Sequence, residues 1–478
     1  MINYKIIDIS TLDDYNKIEI ELDKKYNSRY TKIWIDEIKN KIGLKCSQLL
    51  LEFPYYDSEY LSSFYSYYSK KFAVYEKDSC RIHLLHNNLY YGFISIRPTT
   101  HYLNLGKSYI SPSLFGSSQY IMLSKFCANL LGSEYEVWAF PWMHQETDVS
   151  ICAHIATWNI LKYFGNEHKN FRDVTLGEIV NNTPENGNRK IPSKGLNLQQ
   201  IADIFRVYNI TPLVIRKKNI IINDTDEDCI KEQKKLKQLG YNKEFKRELL
   251  SYIESGIPVV GAMFGRAHAI TIIGHGKLNK ATAVGSKGKY LFHDSSEYID
   301  SIIVNDDNYL PYMEIESNTS SAKSPYFIED IDFAVVPLYD RIYFEFTPMY
   351  ERVKKYLEKG HLNIPKEAVI RAYITSSNSL KKKSKQCVDM NSNLKKVIIN
   401  LNLPKFVWCI DISSIDNYNQ EKICARLVID STSCTYEESP WLIVHDGEKI
   451  MYNDGKTPQE QLESIIPYTM YKNNLREV

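Results

Sequence analysis

Four residues have types and settings that suit thiol chemistry: Gln145, Cys152, His268 and Asp294. Cys152 begins a run in which Cys152, Ala156, Ile160 and Phe164 fall on one row, with Ala153, Thr157 and Leu161 on a row beside it. That spacing predicts a helix with a broad apolar face, stopped at Gly165. A free thiol is only a few per cent ionised near neutral pH. Unpaired N–H groups and the positive end of a helix favour the thiolate, with Ser150 or Asp148 as the expected cap. The same amides, helped by the side chain of Gln145, would hold the charge that develops on a tetrahedral intermediate. His268 opens the apolar run His-Ala-Ile-Thr-Ile-Ile-Gly274 and would take the thiol proton. Asp294 closes Tyr290-Leu-Phe-His-Asp294 and would accept from the other ring nitrogen, fixing its tautomer. Each residue alone also has a plainer role: a buried helix cysteine, a satisfied core histidine, an aspartate capping Ser295 and Ser296, a loop glutamine.

The elements that must position these residues can be read in outline. Asn197 to Tyr208 has helical periodicity, and a strand follows at Leu213 to Ile215. Residues 218 to 244 are charged and read as a surface excursion. A helix is expected from Phe245 to Glu254, ending at Gly256. Strands are expected over Pro258 to Phe264, Ala267 to Ile273 and Lys289 to Phe292, the last two joined as a hairpin by the Gly- and Lys-rich stretch from Gly274 to Gly288. Ile331 to Pro337 would close the sheet. Before this region, Leu89 to Ile96 alternates as a strand, and Ser108 to Ser118 reads as a connector. After it come a helix from Tyr350 to Lys359 and β-rich runs at 368–374, 406–412, 425–429 and 441–444. The basic run Lys381 to Lys385 reads as a solvated loop.

A chain of 478 residues exceeds one core. The expected division is an N-terminal α/β accessory domain over 1–120, the chemical domain over 121–345 and a strand-rich α+β accessory domain over 346–478, each flanking region with its own core. Lys plus Arg total 59 and Asp plus Glu total 58, which gives no reason to expect nucleic acid as a partner. No run approaches the length of a membrane span, and no basic region followed by an apolar stretch marks a secretory leader. The nine cysteines are odd in number and lack zinc-site spacing, so a reducing cytoplasm and no disulfide framework are expected. Other histidines read as bystanders: His154 structural or on the surface, His144 lining the cleft, His293 turned away from Asp294, His275 meeting water. No metal and no cofactor are expected.

Together, Gln145-x6-Cys152-Ala-His-x-Ala, Gly256-Ile-Pro-Val-Val260, His268-Ala-Ile-Thr-Ile-Ile-Gly274 and Asp294 resemble the papain-like cysteine peptidase superfamily, in the flavour of the bacteriocin-processing, C39-like peptidases. Gly195-Leu-Asn-Leu-Gln-Gln200 resembles the segment that opens the family's following helix. The resemblance covers 121–345. It implies an α+β fold with a nucleophile helix packed on an antiparallel sheet, and a Cys-His-Asp triad of Cys152, His268 and Asp294 with Gln145 in the oxyanion hole. The family usually has Gly after the nucleophile, where this chain has Ala153, and its Gln-to-Cys gap is one residue shorter. The implied activity is hydrolysis of a peptide or isopeptide bond through an acyl-enzyme, with a peptide or protein substrate. A thiol acyltransferase would use the same residues. A binding or scaffold protein on a peptidase-like fold, and a self-processing enzyme with the first 120 residues as pro-region, are the remaining readings.

Overall fold

The computed structural model describes residues 3–24, 28–98, 103–115, 119–185, 187, 189–221, 223, 228–285, 289–317, 325–433, 439–453 and 458–478. The connector glycine Gly116, the loop end 286–288 and Cys434 lie outside them. The architecture is mixed α+β, built on large sheets of five, eight and seven strands. Among the described residues no helix is long and apolar enough to cross a membrane.

In the first sheet, Asn3–Asp8, Gln48–Tyr55, Ser79–His86, Leu89–Ile96 and Leu105–Ile110 pair antiparallel in chain order. The helices Tyr15–Asp23 and Ser28–Ile42 cover one face, burying Tyr15, Ile18, Trp34 and Ile38 against Leu49, Ile82 and Ile94. A further helix, Ser58–Ser66, reaches out of this unit through Glu59, which is 2% exposed. Its carboxylate accepts from Trp158 Nε1 at 3.1 Å, Lys162 Nζ at 3.0 Å and the Leu176 amide at 2.9 Å. Removing one member of a buried ion pair strands the others without their partner.

The second sheet has the order Met313–Glu316, Ser301–Asn305, His268–His275, Val259–Met263, Phe333–Leu338, Thr211–Arg216, all antiparallel. Tyr120–Met122 pairs with the end of the His268 strand and with Leu475–Glu477. The helix Cys152–Glu167 lies on this sheet, with every residue from Ala153 to Phe164 buried. It runs past Gly165 because that glycine serves packing, not termination. A Cβ there would sit 2.8 Å from the Arg172 carbonyl. From Asp228 onward the charged excursion is the first part of one long helix, Asp228–Glu254, whose buried residues begin at Phe245. Charge marks its exposed half, not a loop.

The third sheet runs Leu291–Asp294, Glu367–Ser376, Phe406–Ser414, Ala425–Asp430, Trp441–His445, Lys449–Asn453, Pro458–Leu462. Its strands alternate between two cores, as a period of two requires. Ile370, Trp408, Ile410 and Leu427 join the core that also holds the Cys152 helix, while Val369, Tyr373, Cys409 and Val428 face Leu380, Leu394 and Ile398. The latter come from the helices Ser377–Gln386 and Ser392–Asn400, so the Lys381 to Lys385 run is helical. The expected hairpin is corrected here: Leu291–Asp294 pairs parallel with Glu367–Ser376, not with the His268 strand. The middle and last segments therefore share one core across 345.

Between these two sheets, Arg371 Nε donates to Glu254 Oε2 at 2.9 Å, and His275 Nε2 lies 3.1 Å from Glu254 Oε1. His275 is thus buried against this carboxylate and does not meet water as the sequence suggested. Burial opposes charge on Glu254, but Arg371 first and then His275 outweigh it and hold the carboxyl down at about 2. Its ionised form therefore contributes stability that is complete above the ordinary value of 4.5 and lost as pH falls through about 2. Glu254→Gln is expected to lower the melting temperature at neutral pH and to flatten its fall in acid, as thermal unfolding at stepped pH would read. Glu59→Ala is expected to cost about 3–5 kcal/mol in denaturant unfolding, since it leaves Lys162 and Trp158 facing an emptied site.

Candidate active site

Cys152 is the first residue of its helix. The residue before it, Ile151, holds the cap position in extended conformation, and its amide donates to His154 Nδ1 at 3.4 Å. The expected caps are otherwise engaged. Ser150 Oγ accepts from the Glu146 amide at 3.1 Å, and Asp148 pairs with Lys71 at 3.0 Å. His154 is buried, and burial pulls its ring down to about 4, so it caps as a neutral acceptor. The segment leading to Cys152 is clamped from the first sheet. Arg97 donates to the carbonyls of His144 at 3.2 Å and Gln145 at 3.1 Å. His144 is buried between Trp34 and Trp142 and accepts from the Leu105 amide, so it props this segment instead of lining a cleft. Gln145 is half-buried immediately after it.

His268 opens its strand after Ala267, which sits in the left-handed region at φ 49°. The strand lies under the Cys152 helix, tied by Asn159 Nδ2 donating to Thr271 Oγ1 at 3.0 Å and by Thr271 Oγ1 donating to the Ala156 carbonyl at 3.3 Å. His268 Nε2 lies 3.0 Å from Asp306 Oδ2, and Cys152 is near enough to the ring to favour its protonated form. With Nε2 taken by Asp306, Nδ1 is the nitrogen left for sulfur. Burial disfavours charge on the ring, but Asp306 first and Cys152 second raise it to about 10. Asp306 is fully buried and fixed: the Asn308 amide donates to its Oδ1 at 2.8 Å, and Trp142 Nε1 donates to its carbonyl at 2.8 Å. Beside it, Asp307 is 2% exposed, with Oδ1 3.9 Å from His268 Nε2. Burial first, then the charge of Asp306, push its carboxyl up to about 8.

Cys152 and His268 are thus brought together, and Asp294 is not. Asp294 caps the turn Ser295–Tyr298 through the Ser296 amide at 2.9 Å, at the edge of the third sheet. The carboxylate on His268 is Asp306, which the sequence reading passed over. Its signal was available: Ser301-Ile-Ile-Val-Asn305 is a stronger β run than the one before Asp294, and Asp306 follows it directly. His293 pairs with Glu367 at 3.1 Å, away from the site.

No family model, curated protein or solved structure matches this chain.

A cavity of about 1110 Å³ lies elsewhere, lined by Glu167, His168, Tyr339, Ser376, Lys405 and their neighbours, and includes neither Cys152 nor His268. Phe264 is 59% exposed, and Arg266 lies over the Tyr326 ring, which itself packs 5.6 Å from the His268 ring. Alkylation of Cys152 by a small electrophile is expected to slow in His268→Ala and in Asp306→Asn and to be unchanged in Asp294→Asn. Peptide mapping of labelled protein reads this directly. Equal rates in wild type and His268→Ala would show that the ring does not act on the thiol.

Proposed function

We propose that the protein is a cysteine peptidase, hydrolysing a peptide or isopeptide bond with Cys152 as nucleophile, His268 as base and acid, and Asp306 as the orienting carboxylate. The buried carboxylate of Asp306 on His268, in a strand packed beneath a helix that begins at Cys152, supports the reading. A histidine oriented by a carboxylate near a helix-start thiol suits nucleophilic catalysis. A helix laid on an antiparallel sheet, bearing cysteine at its start and histidine on the strand beneath, also supports the papain-like resemblance.

In this mechanism His268 takes the thiol proton and the sulfur of Cys152 attacks the substrate carbonyl carbon. The C–S bond forms as the carbonyl pair moves to oxygen, where the Cys152 amide and Gln145 stabilise it. Collapse breaks the C–N bond, and His268 passes its proton to the departing amine. His268 then takes a proton from water, whose oxygen attacks the thioester, and returns it to sulfur as the acid leaves. An acyltransferase would replace that water with an amine and use the same residues. The exposed Phe264 and Arg266 beside His268 suit a peptide laid across an open rim. The eight described cysteines are free thiols, which supports a reducing, cytoplasmic setting.

Cys152→Ala is expected to abolish turnover with little loss of stability. His268→Ala should lose about 10²–10⁴-fold. Gln145→Ala should lose on the order of 10²-fold, as removal of one oxyanion donor does. Asp294→Asn should leave the rate constant of cleavage unchanged. The assay compares proteomes exposed to wild type and Cys152→Ala, searched for thiol-dependent new N-termini. New termini produced equally by both proteins would end the mechanism.

A further inference from the structure

We propose that His268, Asp306 and Asp307 form a binding site for a divalent transition ion of the zinc class. One ligand atom from each lies within 4.8 Å of the others. The second observation is Asp307 itself. It is 2% exposed, and neither of its carboxylate oxygens has a hydrogen-bond partner, although Oδ1 points to within 3.9 Å of His268 Nε2. A buried carboxyl group without a hydrogen-bond partner is costly in either protonation state, and thiol chemistry gives this one no task. A cation between the three groups would satisfy it.

Geometry and donor type select the ion. In a tetrahedral site with zinc bonds of about 2.0–2.2 Å, ligand atoms lie about 3.3–3.6 Å apart. The observed separations from His268 Nε2, 3.0 Å to Asp306 and 3.9 Å to Asp307, bracket that range. Small side-chain rotations therefore close the site. One imidazole with two carboxylates suits zinc or cobalt, whereas calcium takes six to eight oxygens and magnesium demands an octahedron of oxygens. Water would complete the fourth position. Cys152 is not among the three groups that converge here.

The consequence for chemistry rests on the peptidase reading, but the binding does not. An ion on Nε2 replaces the proton shared with Asp306 and leaves the ring's one proton on Nδ1. The ring then has no lone pair with which to accept from the thiol. Zinc would reversibly arrest the enzyme from behind its histidine, without touching sulfur.

The test is Co²⁺ binding to the full-length reduced protein, followed by visible absorption and reversed with Zn²⁺. The expected result is one cobalt per chain in a site without a thiolate-to-cobalt charge-transfer band. Binding should persist in Cys152→Ala and weaken by at least about 10-fold in Asp307→Asn and in His268→Ala. Circular dichroism confirms that each variant folds, and a zinc-induced rise in melting temperature, present in wild type and absent in Asp307→Asn, gives an independent readout. A charge-transfer band that disappears in Cys152→Ala, unchanged affinity in Asp307→Asn, or no binding by wild type would each overturn the site.

Discussion

The contact between the Cys152 helix and the strand beneath it sets the spacing on which everything at the site depends. Ala153, Ala156 and Thr157 keep that face of the helix small, and Thr271 uses its hydroxyl twice, accepting from Asn159 and donating to the Ala156 carbonyl. A polar seam of this kind inside an apolar interface has one satisfied register. A shift of the strand by one residue would turn Thr271 away from the helix. The seam therefore fixes the approach and the register of the two elements.

Charge is arranged around this frame with the carboxylates buried and the thiol nearer the surface. Asp306 is anchored by a backbone amide and by the tryptophan that grips its carbonyl, so its position is set by the chain and not by the histidine. Trp142 belongs to the core of the first sheet, as does Trp34, whose ring packs at a tilt against His144. The N-terminal unit thus acts on the site from two directions: it supports Asp306 through Trp142, and it clamps the Gln145 segment through Arg97. This makes it a scaffold for the proposed chemistry and argues against a detachable pro-region.

Much of the local structure was legible because local patterns determine it. The Cys152 helix, the helix Leu198–Val207 and the strand Leu89–Ile96 follow from periodicity and appear within a residue or two of their expected bounds, apart from the end of the first at Glu167. Connectivity was not legible. The stretch after His275 looks like a hairpin loop, yet the chain leaves the second sheet, adds Leu291–Asp294 to the third and only then returns as Ser301–Asn305. That detour is why Asp294 was chosen and Asp306 missed: the family order of cysteine, histidine and aspartate was kept, and the wrong strand end was counted. Buried charge was equally hidden. Glu59 and His275 look like surface residues until their partners, far away in sequence, are in place.

The pairing of Tyr120–Met122 with Leu475–Glu477 has a bearing on synthesis. Lys472 Nζ and Tyr120 Oη, beside this pairing, meet at 3.1 Å across 352 positions. A ribosome that has released the Cys152 helix and the His268 strand still exposes Tyr120–Met122 as an open edge, with unpaired amides and carbonyls. The third sheet must emerge before that edge is covered, and pairings of such long range form slowly. The nascent chain therefore holds Cys152 and His268 on an unfinished support until that edge is paired.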